Sequence, residues 1–285
     1  MYSFITILAG AVLAVMIVFN GELSIEYGVF GSSVIIQTIG TVAALMAILL
    51  KREKFILKSS VSKWYYLTGV ITVSITVFQS LAFHYISMTS IIALGLVGQT
   101  VISIVIDQFG LFGMKKTALN KSAVVCLIFA IIGIVVMADG TMGGSILAIT
   151  LSLIAGMAVV LSRVFNAKIA EHTSVLQGSF ISYILGLPAI VIVAWFAKEL
   201  TFNVEFNGSN WWMYLGGILG VLMVLMYNIT VPRVSAFKLT MFVFFGQVLT
   251  GIVLDLAFQQ LTMDASFWGG IIISIGVLIS KIIER

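Results

Sequence analysis

Gly98-Gln-Thr-Val-Ile-Ser-Ile-Val-Ile-Asp107, followed by Gln-Phe-Gly110, is an apolar stretch that carries an amide at Gln99 and a carboxylate at Asp107. It returns as Gly246-Gln-Val-Leu-Thr-Gly-Ile-Val-Leu-Asp255, with glycine, glutamine and aspartate at the same spacing. Working outward, residues 64–107 align with 212–255 at a constant offset of 148, with 11 identities in 44 positions. Trp64/Trp212, Tyr66/Tyr214, Gly69/Gly217 and Ser87/Ser235 are among them. Apolar residues match one another easily by chance, whereas polar and glycine matches in register do not. At an offset of 146, Phe19-Asn20 meets Phe165-Asn166 and Gly40 meets Gly186. Two copies of one unit, 1–140 and 141–285, fill nearly the whole chain.

The composition says where such a unit lives. Of 285 residues, 61% are hydrophobic and 9% charged, and the mean hydropathy is +1.19. A soluble domain carries roughly a quarter charged residues, so this is an all-α integral membrane protein. Ten stretches approach the ~20 apolar residues a spanning helix needs: 2–20, 30–50, 64–83, 86–106, 122–138, 145–165, 174–197, 211–231, 236–257 and 266–283. Unbroken apolar runs exclude the alternating strands of a membrane barrel. The first run lacks a basic leader and a small-residue cleavage site, and the repeat needs it, so it reads as a retained helix rather than a signal peptide.

Fourteen of the fifteen Lys and Arg residues fall in alternate loops or at the C-terminus, and only Lys198 falls on the other side. By the positive-inside rule, both termini and these loops are cytoplasmic, which places a multi-pass protein in the plasma membrane. Five helices per copy is an odd number, so the second copy enters from the opposite side. The charges follow. The basic 51–63 loop corresponds to 198–210, where Glu199 and Glu205 outweigh Lys198. The expected architecture is ten transmembrane helices in two inverted five-helix repeats, as in many secondary transporters. The positive excess reports orientation, so no nucleic-acid partner is implied; the partners are the bilayer and a small-molecule substrate. A homodimer stays open.

Gly98-Gln99, Asp107 and the Phe109-Gly-Leu-Phe-Gly113 turn, preceded by a first helix containing Asn20, resemble the YdcZ-like branch of the drug/metabolite transporter superfamily. The resemblance covers each half, so the chain is similar to a fused, two-copy member. It implies small-molecule transport by alternating access. The second copy departs from the pattern, since Asp255 is followed by Leu-Ala-Phe-Gln rather than the glycine-bearing turn. Small multidrug exporters of that superfamily carry a glutamate in the first helix, and this chain has none there.

Polar residues inside spans are the candidate site. Gln99 and Gln247 fall mid-helix and read either as substrate ligands or as an interhelical clamp beside their glycines. Asn20 and Asn166, near helix ends, either frame the mouths of a central site between the repeats or act as caps. Gln79, Asn228, Gln37 and Tyr183 add to a polar interior. Asp107 and Asp255 are candidates for ion coupling. Asp107, close to Lys115 and Lys116, fits a salt bridge or a solvated helix end better, which leaves Asp255 the stronger candidate. Arg163 is expected to snorkel to the inner interface.

Two histidines and one cysteine make no metal site, and no catalytic constellation or cofactor motif is present, so no enzyme is expected. The reading is a secondary transporter of a small polar or amphipathic metabolite. The alternatives are efflux of hydrophobic cations, with Phe165, Phe242, Phe244 and Phe245 as possible rings, and a lipid-handling membrane protein.

Overall fold

The computed structural model describes residues 2–56, 61–83, 85, 88–114, 116–117, 121–137, 146–200 and 208–257, with scattered positions between 268 and 283. Among the described residues every regular element is helical. In chain order these are α1 (Tyr2–Tyr27), α2 (Val29–Leu50), α3 (Thr68–Phe83), α4 (Met88–Phe109), α5 (Lys121–Met137), α6 (Ile146–His172), α7 (Val175–Phe196), α8 (Gly216–Thr230) and α9 (Ala236–Ala257). Short 3-10 turns, Lys63–Leu67 and Gly208–Leu215, lead into α3 and α8. Five spans, α1, α2, α6, α7 and Asn210–Thr230, are long and apolar enough to cross a membrane. Phe4, Leu50, Ile146, Trp195 and Phe196 stand exposed on these helices, an apolar surface that lipid accepts and water does not. The expected span at 266–283 lies largely outside the described residues, though its described positions are helical.

The element boundaries recur as the residues do. Moving α2 by 146 positions gives the bounds of α7, and moving α4 by 148 gives those of α9. Each of these helices also packs on its own counterpart, α2 on α7 and α4 on α9. The chain forms two compact units, and each draws on both halves of the sequence: one holds 1–11, 78–160 and 232–285, the other 12–77 and 161–231.

In the first unit, helices meet through glycines. A Cβ on Gly98 would collide with the carbonyl of Leu153, and one on Gly156 with the carbonyl of Gly95. The same pair of contacts recurs between α9 and α1: Gly246 lies against the carbonyl of Ile7, and Gly10 against that of Val243. Each residue of the second set is the repeat equivalent of one in the first. Lipid tails supply no hydrophobic force between helices, so association rests on close packing that small residues permit. Leu96, Phe237, Met241 and Phe244 pack beside these crossings, with Phe242 and Phe245 against them. Those phenylalanines fill a core rather than form an aromatic cage.

In the second unit, α2 and α7 cap each other. Gly28, at φ 71°, breaks the chain between α1 and α2. The Glu199 carboxylate, from the loop after α7, then accepts the Phe30 N–H at 2.7 Å. Reciprocally, Glu53, from the loop after α2, accepts the Ser174 hydroxyl at 2.6 Å, and Ser174 caps α7 by accepting the Gln177 N–H. Carboxylates at helix N-termini answer the exposed N–H groups and the helix dipole.

Two helices run past their expected ends. α1 continues through Glu22 and Glu26 to Tyr27, and α6 through Lys168 and Glu171 to His172. Asn20 and Asn166 therefore sit well inside helices, not at caps. Straight-chain charged residues are good helix formers, and a charge stops only the apolar run, not the helix.

Replacing Gly98 or Gly246 by valine is expected to destabilise the purified protein by about 1–3 kcal/mol through overpacking. Gly21→Ala and Gly251→Ala serve as controls, since nothing lies within 4 Å of a Cβ at either position. Thermal melts in detergent should separate the two pairs, and equal behaviour would remove glycine crossings as the source of cohesion.

Candidate functional site

Hydroxyls in these helices are largely self-sufficient. Thr100 donates to the Leu96 carbonyl at 2.8 Å, Ser152 to Ala148 at 2.9 Å and Thr230 to Met226 at 2.8 Å. Serine and threonine can bond back to their own helix in this way. Larger polar groups need partners elsewhere, and one unbonded in the interior is costly. Such atoms therefore locate a site.

Asn166 has its partners. Its Oδ1 accepts from Thr68 Oγ1 at 2.8 Å, and the hydroxyls of Thr68, Thr72 and Ser162 lie within 3.3 Å of one another in a chain. Asn166 is buried, with Nδ2 3.5 Å from Ser162 Oγ. Asn20, its equivalent, does not share this arrangement. The positions equivalent to Thr68 and Ser162 hold Gly216 and Met16, so the hydroxyls are gone. Asn20 Oδ1 abuts Gly216, buried and without a hydrogen-bond partner.

Asn228 is half satisfied: Nδ2 donates to the Val175 carbonyl at 3.2 Å and lies 3.5 Å from Ser179 Oγ, while Oδ1 is buried and unbonded. Tyr183 is buried, its ring against Gly40 and its hydroxyl against Gly220. Gln37 donates to the Tyr183 carbonyl at 3.1 Å, a bond between repeat-equivalent positions.

Sequence reasoning missed two members, Arg163 and Tyr227. Arg163 does not snorkel: it is 5% exposed, with Nε and Nη1 unbonded, and its guanidinium lies 4.6 Å from the centroid of the Tyr227 ring. Tyr227 is also buried, and its hydroxyl has no partner other than the Arg163 side chain. The available signal was broken symmetry. Arg163 and Tyr227 correspond to Ile17 and Gln79 in the first copy, so neither belongs to the shared framework. Asn20, Asn166, Tyr183, Asn228, Arg163 and Tyr227 all lie in the second unit.

The first unit holds the remaining candidates. Gln79 is exposed. Gln99 and Gln247 are half-buried beside the glycine crossings; it is the glycines that make the close helix contacts. Asp107 is buried, which overturns the solvated helix end expected from sequence, and its two oxygens accept the Ala236 N–H at 2.8 Å and the Phe237 N–H at 2.9 Å. It caps α9 from α4, an arrangement the distance in sequence concealed. Gly110, at φ 64°, closes α4 immediately beyond it. Asp255 lies in α9, but its side chain is outside the described residues. Among the described residues no cluster of His, Cys, Asp and Glu could hold a metal ion.

A family model described as "Putative inner membrane exporter, YdcZ" matches residues 1–136 and again 147–279. The chain belongs to the YdcZ family. That makes it a multi-pass membrane protein of a transporter family. The double match falls on the two halves that the Gly-Gln…Asp motif marks. A solved crystal structure of a protein, 16% identical, superposes with a TM-score of 0.71 over 100% of this chain and 98% of that one. It shows a shared fold. No curated protein matches the sequence.

Asp107→Ala leaves two buried N–H groups unpaired and is expected to cost about 1–3 kcal/mol. Faster amide exchange at the start of α9 should accompany the lower melting temperature. An unchanged exchange rate at Ala236 and Phe237 would rule out the cap as a stabilising contact.

Proposed function

We propose that this YdcZ family member is a secondary transporter that exports a small polar or amphipathic metabolite by alternating access. The carrying observation is the set of buried, unbonded polar atoms on Asn20, Arg163 and Asn228. Polar groups held inside spanning helices without partners are what a solute path requires and what a structural scaffold avoids. The buried guanidinium weighs against the alternative of a hydrophobic cation, which it would repel. Among the other candidates, Gln99 and Gln247 remain proposed ligands near mid-depth, with Asn166, Gln79 and Tyr183 contributing polar lining and Asp255 as the coupling carboxylate.

The proposed topology is ten spans in two inverted five-helix repeats, with the site between the repeats and both termini inside. Support comes from the charge asymmetry, the recurring element boundaries and the odd number of helices per copy. Motion of one repeat against the other would expose the site to each side in turn.

Two measurements test this. Proteoliposomes carrying wild-type protein should accumulate or release a solute saturably, and Asn20→Ala, Gln99→Ala and Gln247→Ala should each lower the rate at least about tenfold if they touch it, the effect of roughly 1.4 kcal/mol. Full rates in all three variants would remove them from the path. For topology, single cysteines at Lys58 and Glu205, in a Cys126→Ser background, should be labelled from opposite sides of the membrane. Labelling from one side would sink the inverted arrangement.

A further inference from the structure

Arg163 raises a question of charge balance. A guanidinium taken out of water is strongly destabilising unless paired, and this one is 5% exposed with two donors unbonded. The described acidic residues of its compact unit are committed or remote from burial. Glu53 bonds Ser174, Glu199 bonds the Phe30 N–H, Glu171 pairs with Lys168, and Glu22 and Glu26 are exposed. The guanidinium carbon lies over the Tyr227 ring, 4.6 Å from its centroid, a cation–π contact that holds the group in place without neutralising it. The edges of the plane, where its N–H groups point, keep an unbonded donor at Nε and another at Nη1. Nε–H and Nη1–H lie on different edges of the guanidinium, so each offers an oxyanion one charge-assisted hydrogen bond, and a two-bond fork is completed only with Nη2. Tyr227 adds a buried hydroxyl that interacts with the Arg163 side chain and has no other partner, so its proton stays available.

We propose that Arg163 and Tyr227 form an anion-binding pair that takes a singly charged oxyanion. One guanidinium matches one negative charge, as on a carboxylate or a phosphodiester. The two sources are a soluble organic acid and a lipid headgroup. Arg163 fixes the anion edge-on, the Tyr227 ring holds Arg163 in place, and the Tyr227 hydroxyl donates a further bond. The assignment rests on the transporter reading only in treating this anion as part of the solute. It also narrows that reading, since the transported molecule then carries a negative group.

The experiment uses the full chain, purified in detergent and stripped of lipid, with melting temperature followed against acetate, propionate and hexanoate, against the matching amides, and against short-chain phosphatidylglycerol. The carboxylates are expected to stabilise saturably and the amides not at all. Arg163→Gln should weaken the response at least tenfold, Arg163→Lys should fall between because an ammonium has no fork, and Tyr227→Phe should weaken it several-fold. If Arg163→Gln does not fold, Arg163→Lys and Tyr227→Phe decide. A response to carboxylates names a soluble acid as the source; one confined to phosphatidylglycerol names the headgroup. No response to either anion, equal stabilisation by amides, or wild-type binding in the variants overturns the proposal. Arg163-dependent binding with no solute flux in proteoliposomes would refute the transporter reading and leave the site standing. Saturable flux indifferent to Arg163 would do the reverse.

Discussion

Helices in lipid gain nothing by hiding apolar surface from one another, and the architecture depends on how this chain meets that constraint. Where α4 crosses α6 and α1 crosses α9, a glycine sits under a carbonyl of the neighbouring helix, with no room for a methyl group. Backbones that close multiply their dispersion contacts and tolerate no sliding, because any shift brings a side chain against the carbonyl. Gly98 and Gly246 are the glycines of the recurring Gly-Gln pairs. The motif that marks the repeat in sequence is thus first a packing device, whatever its glutamines bind.

That is also why the repeat was legible and part of the site was not. Glycines and capping carboxylates stand out in an apolar background, so Gly98, Asp107 and their counterparts could be aligned by eye. Helix ends were harder. A polar run after residue 20 or 165 looks like a loop, yet α1 and α6 carry on for about two turns beyond it. Arg163 was least legible. An arginine near the end of a predicted span satisfies the positive-inside rule whether it is buried or exposed, and a tyrosine such as Tyr227 is lost among twenty phenylalanines. Only a long-range contact reveals that the two residues meet.

Symmetry sorts the polar residues by role. Where both copies keep a feature, it holds helices: the glycine crossings and the carboxylates that cap α2 and α7. Where the copies differ, the chemistry is local. Thr68 and Ser162 bond Asn166, while Gly216 and Met16 leave Asn20 Oδ1 bare. Arg163 and Tyr227 have no counterparts at all. Shared features hold the helices, and the buried polar atoms without partners fall where the two copies differ.

The reciprocal carboxylates carry a consequence for biogenesis. Glu53 reaches the start of α7, and Glu199 reaches the start of α2. As the chain emerges from the ribosome, α2 is complete long before residue 199 has been made, so its N–H groups wait uncapped through the synthesis of five further helices. Made alone, the first half would lack the acceptor that Glu199 gives the Phe30 N–H. Fusing the two copies into one polypeptide guarantees that each nascent half finds its complement in equal amount and in the same membrane.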